Sequence, residues 1–137
     1  MKKTLTLAVA LTAATLSTAS FAEADFSCPE SPNCVSSQAT GDHYIEPLKV
    51  SGMSTKEINS TLVNILGNQE RVDVVSNKNN VIKAVATSKW FRFKDDITFR
   101  INSDETVDIK SSSRTGYSDL GVNRERVEKL RKELKAL

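Results

Sequence analysis

The 137-residue sequence has one histidine, His43, and two cysteines, Cys28 and Cys34. A single histidine excludes a multi-histidine transition-metal centre. Any Ser-His-Asp catalyst would have to use His43. The nucleophile-elbow pattern G-x-S-x-G is absent, as is a D-x-D-x-D-G calcium loop. The cysteines do not form C-x-x-C, so a thioredoxin-like redox pair is not indicated. No apolar run reaches the about 20 residues that a membrane-spanning helix needs. Beyond residue 22 there is no internal repeat and no low-complexity stretch.

Residues 1–22 read as a secretory signal peptide. Lys2 and Lys3 form the charged start, Leu5 to Leu16 the short apolar run, and Ser20-Phe21-Ala22 the small-residue cleavage site. Asp25-Phe26-Ser27 before Cys28 lacks the small and leucine-like residues of a lipoprotein signal, so free release into the periplasm is expected. Cleavage takes 22 residues from 137 and leaves 115, the size of one domain. It also removes Lys2 and Lys3, which leaves 17 bases from 19 against 17 acids. That balance argues against nucleic acid and against a polybasic membrane contact. In an exported chain the two cysteines are expected to pair.

Residues 23–53 read as an irregular arm pinned by that disulfide. Pro29, Pro32, Asn33 and Gly41 are turn formers, and no helical period appears. Tyr44, Ile45 and Leu48 are candidates to lay the arm on the core. Residues 54–137 read as an α+β domain. Ser54 and Glu57 form a capping box, and Ile58, Leu62, Ile65 and Leu66 follow at helical spacing. Gly67 sits where a left-handed cap would end this helix. Four strands follow at 71–75, 81–87, 97–101 and 106–111, with Ile97, Phe99 and Ile101 on one face. A last helix spans about 124–136, with Asn123 as its N-cap and Val127, Leu130 and Leu134 as its stripe. The expected fold is two-layered: a four-stranded antiparallel meander sheet under an N-terminal and a C-terminal helix. Trp90, Phe91 and Phe93 lie between the second and third strands; such residues usually join the core, and the alternatives are that they line an apolar pocket or contact a partner.

Three stretches carry a resemblance. They are Cys28-Pro29-Glu30-Ser31-Pro32-Asn33-Cys34-Val35-Ser36-Ser37, the Asp95-Asp96 pair, and Ser113-Arg114 through Gly116-Tyr117-Ser118-Asp119-Leu120-Gly121 to Asn123-Arg124, Arg126 and Val127. In this order they resemble the domain-of-unknown-function 1499 family across the chain after residue 22. The resemblance implies a shared site and carries no activity.

Arg114 is the first site candidate, because a guanidinium fork at a strand end can grip a carboxylate or phosphate. Asp95 or Asp96 could instead hold it in a structural ion pair. Tyr117, Ser118, Asp119, Asn123 and Arg124 complete a turn whose amides and arginines suit a small anionic ligand. The same turn also reads as a rigid connector, with Gly116 and Gly121 supplying positive φ. Asp95 and Asp96 are too few to hold a metal alone. His43 reads as a link between arm and body. The expectation is a non-catalytic periplasmic module for a small anionic ligand or an envelope protein, with no cofactor. The alternative is a hydrolase-like enzyme using His43 with Asp95 or Asp96 as acid–base groups.

Overall fold

Helix α1 (Thr55–Gly67) begins as its capping box dictates. Ser54 Oγ accepts the Glu57 amide at 3.3 Å, and the Glu57 carboxylate accepts the Ser54 amide at 2.7 Å. Ile58, Leu62 and Leu66 are the buried stripe. Gly67 stays helical rather than turning left-handed. Asn68 closes the helix by sharing its amide among the carbonyls of Asn64, Ile65 and Leu66. The computed structural model describes residues 23–137, and the signal-peptide reading of 1–22 lies outside them.

Strands β3 (Val72–Lys78), β4 (Val81–Thr87), β5 (Lys94–Ile101) and β6 (Thr106–Ser113) form the expected antiparallel meander. The sheet nevertheless has six strands, not four. The arm contributes β1 (Cys34–Ser36) and β2 (Leu48–Lys49), which both pair with β6 on its otherwise open edge. Two- and three-residue strands carry no period of their own. What fixes them is the unpaired edge of β6, which they cover. The 23–53 stretch is therefore partly strand. Cys28 and Cys34 are disulfide-bonded, as expected.

Alternation along β5 sends Ile97, Phe99 and Ile101 to one sheet face, where α1 and α2 (Val122–Lys135) cover them. Val107 and Ile109 of β6, Ile82 of β4 and Val127, Leu130 and Leu134 of α2 complete that core. Ile45 and Leu48 of the arm join it, while Tyr44 stays exposed. The other face is polar, and residues 23–27 cross it. Glu23 reaches Arg100 at 2.8 Å, and Phe26 is buried under the Arg100 guanidinium.

Helix α2 starts two residues earlier than expected. Gly121, left-handed at φ 82°, is its cap residue. Asp119 does the capping: its carboxylate accepts the amides of Gly121 and Asn123, each at 3.0 Å. Asn123 is thus not the N-cap. Relieved of that work, its side chain turns inward.

Candidate functional site

One end of the sheet collects most of the candidate residues. There β5 begins, β4 and β6 end, and three loops emerge: the disulfide loop, 88–93 and 114–121. They are stitched together by backbone. The Arg114 amide donates to Lys94 O at 3.0 Å, and the Ser113 amide donates to Asn33 O at 3.0 Å.

Beneath these loops lies a buried polar network centred on Asn123, which is fully buried. Its Oδ1 accepts from Ser111 Oγ at 2.6 Å and from Arg126 at 2.8 Å. Its Nδ2 donates to Asp119 at 2.7 Å, Ser113 Oγ at 2.9 Å and the Asn33 carbonyl at 3.2 Å. Arg126 also forms a 2.7 Å ion pair with buried Asp95. Among the described residues no buried side-chain polar atom lacks a partner. A network so fully satisfied holds loops in place.

Asp95 and Asp96, adjacent in a strand, face opposite sides of the sheet. Asp95 meets Arg126 under the helices. Asp96 meets Arg114 on the polar face, through two bonds of 2.8 Å. They cannot share one cation or act as a dyad. Arg114 thus already holds a carboxylate. Arg124 donates to the carbonyls of Asp42 and Tyr44, at 2.7 and 3.0 Å, and fastens the arm. His43 Nδ1 donates to the Cys34 carbonyl at 2.9 Å, and no hydrogen bond links it to Asp95 or Asp96. Ser118 Oγ accepts the Leu120 amide, and Tyr117 stands exposed. A small cavity between helices and sheet, about 10 Å³ and room for one water, is lined by Leu66, Ile97, Phe99 and Val127 together with Gln69 and Arg126.

Trp90, Phe91 and Phe93 depart furthest from expectation. They are not core: their exposures are 80%, 78% and 56%. The loop that carries them is closed on itself. The Ser88 amide donates to Phe93 O at 2.8 Å, and the Phe93 amide donates to Ser88 Oγ at 2.9 Å. Arg92 takes φ 58° at the turn. So short a closed connection cannot fold back over the sheet, so its aromatics point outward. Phe91 and Phe93 stack with centroids 5.6 Å apart, and Lys89 Nζ lies 5.0 Å from the Trp90 ring.

A second polar cluster was not anticipated. Buried Asp108 on the polar face accepts from Arg100, Asn102, Gln38 and Ser37. Its cue was available: Arg100 and Asp108 are opposite charges at the non-core positions of neighbouring strands. Burial alone would raise the Asp108 carboxyl. The hydrogen bonds from Arg100, Asn102, Gln38 and Ser37 outweigh it, so the pKa falls below the ordinary 3.8. The Arg114 hydrogen bonds lower Asp96 in the same direction. At Asp119 burial is outweighed by hydrogen bonds from Asn123 and Gly121. A folded pKa below the unfolded one means that the unfolded chain binds protons more readily. The stabilisation is therefore complete above the unfolded value near 3.8 and is lost as pH falls through the folded value. Urea midpoints should hold from about pH 7 to about pH 5 and then fall steadily toward about pH 2.5. Asp108→Asn should cost about 1–2 kcal/mol at neutral pH and flatten that fall. A midpoint that rises on acidification would contradict this.

The chain matches the family model described as "Protein of unknown function (DUF1499)" over residues 26–134, and it belongs to that family. No curated protein and no solved structure matches it.

Proposed function

We propose that this protein is a non-catalytic interaction module of the periplasm that docks on a component of the cell envelope through the 88–93 end of its sheet. The observation that carries this reading is the exposure of Trp90, Phe91 and Phe93 on a loop closed by its own hydrogen bonds. Contiguous exposed apolar surface on a soluble domain is a mark of contact with a partner. The polar candidates support the same reading from the other side. Arg114, Arg124 and Arg126 already hold Asp96, two carbonyls and Asp95, so a small anion would have to displace an internal partner. The periplasmic setting rests on the signal-like residues 1–22 and on the disulfide, which persists in oxidising compartments.

The test is co-sedimentation of the processed, oxidised protein with a washed cell-envelope preparation. Wild type is expected in the pellet. The triple variant Trp90→Ser, Phe91→Ser, Phe93→Ser, checked as folded by circular dichroism, is expected in the supernatant. Wild type in the supernatant, or a triple variant that pellets equally well, would overturn the reading.

A further inference from the structure

We infer that the component on which this end docks is the surface of an anionic lipid bilayer, an inference that rests on the docking role proposed for the 88–93 loop. The first argument is the composition of the loop. Lys89-Trp90-Phe91-Arg92-Phe93-Lys94 alternates aromatics with bases and holds no acid. Lysine is depleted in the cores of protein–protein interfaces. At a membrane surface, by contrast, aromatic rings settle at the headgroup level while basic side chains stay with the phosphates. Lys89 Nζ over the Trp90 ring puts base and ring at the same level.

The second argument is charge. Of the carboxylates near this end, Glu70, Asp95 and Asp96 each face an arginine, Arg71, Arg126 and Arg114, while Asp119 on the 114–121 loop is held by the amides of Gly121 and Asn123 and by the Asn123 side chain, with no basic partner. Lys89, Arg92 and Lys94 have no acidic partner among the described residues; Glu30 on the disulfide loop, Asp73 near the start of β3 and Asp119 are the opposing charges at this end that no base pairs. The balanced composition argued against a polybasic contact, but overall neutrality conceals a loop whose charges are all basic.

The third argument is shape. Tyr117 and Leu120 are exposed on the neighbouring 114–121 loop at the same end of the sheet. Leu120 is 93% exposed and sits at φ 54°, a left-handed conformation that a bulky residue rarely adopts. Strain of this kind is kept where the side chain is used. A protruding end needs a matching hollow on a protein partner, whereas a bilayer deforms around it. No helix among the described residues is long and apolar enough to cross a membrane.

Trp90 is the only tryptophan of the chain and reports the contact directly. The experiment titrates the protein with vesicles of phosphatidylcholine and with vesicles containing one-third phosphatidylglycerol. With phosphatidylglycerol the emission should shift to the blue and the protein should sediment. Binding should fall about tenfold or more on phosphatidylcholine alone, and equally for the folded variant Lys89→Glu, Arg92→Glu. Unshifted emission with phosphatidylglycerol vesicles, or equal binding to both compositions, overturns the inference. If the emission is unshifted while aromatic-dependent sedimentation with whole envelopes persists, the lipid inference fails and the docking reading stands with a protein partner. If neither is seen, both fail.

Discussion

Replacing Asn123 with alanine is expected to lower the unfolding free energy by about 3–4 kcal/mol. The residue is fully buried, and its amide serves five partners drawn from β6, the disulfide loop, the 114–121 loop and α2. Alanine removes all five bonds at once. Asp119 keeps the amides of Gly121 and residue 123, and Arg126 keeps Ser111 and Asp95. The Asn33 carbonyl loses the Asn123 side chain, though the Ser113 amide still reaches it. The hydroxyl of Ser111 loses its acceptor, and Ser113 Oγ loses its donor. Each buried group left without a partner costs about 1–3 kcal/mol, less where water can enter. For a domain of this size the melting temperature should fall by roughly 10–15 °C. Urea unfolding followed by circular dichroism measures it, with Ser118→Ala as an exposed control within about 0.5 kcal/mol of wild type. Asn123→Asp separates geometry from charge. It keeps the shape and the acceptor for Ser111, but sets a second carboxylate against Asp119, where the amide now donates at 2.7 Å. Its loss should therefore shrink as acid neutralises the pair. A loss below about 1 kcal/mol for Asn123→Ala would mean that the network is ornamental.

What the sequence could and could not disclose follows from the range of the interactions. Helix α1 was legible because its signals are local: Ser54 and Glu57 three residues apart, then an apolar stripe. The β3–β6 meander was legible because alternation is also local. β1 and β2 were hidden because their existence depends on an edge more than 50 residues away, with Cys34 facing Ser112 and Leu48 facing Val107. Asn123 misled for a similar reason. Asparagine before a helix is a good N-cap, but Asp119 can do that work from four residues upstream. Only the placing of Ser111 and Ser113 on the facing strand draws the asparagine inward. The aromatic loop misled because hydrophobicity predicts burial on average. The hydrogen bonds of Ser88 to Phe93, which close the loop on itself, turn that rule over.

The sequence singled out Arg114 as the first site candidate, or else as one half of a structural ion pair with Asp95 or Asp96. The structure pairs Arg114 with Asp96 and Arg126 with Asp95, and the two arginines should separate cleanly. Arg114 and Asp96 are well aligned, but their side chains are 46% and 50% exposed. Water and salt screen such a pair, and Arg114→Ala should cost at most about 1 kcal/mol. Arg126 and Asp95 are 21% and 12% exposed, and Arg126 is the partner of that carboxylate. Arg126→Met keeps most of the apolar stem but strands the Asp95 charge under the helices and removes a donor from Asn123. A buried charge that loses its partner costs about 3–5 kcal/mol. The double variant Arg126→Met, Asp95→Asn removes the stranded charge and should regain much of that loss. Arg114→Ala, Asp96→Asn should differ little from either single change. Urea midpoints of the six proteins, wild type included, decide the matter. Equal losses for the two single arginine variants, or no recovery in the Arg126 double variant, would place the stabilising pair on the exposed face instead. The expected order would leave Arg126 and Asp95 as the internal brace that holds the loop-bearing end of the sheet rigid. Only then do the exposed aromatics need no ordering to make the contact proposed for them.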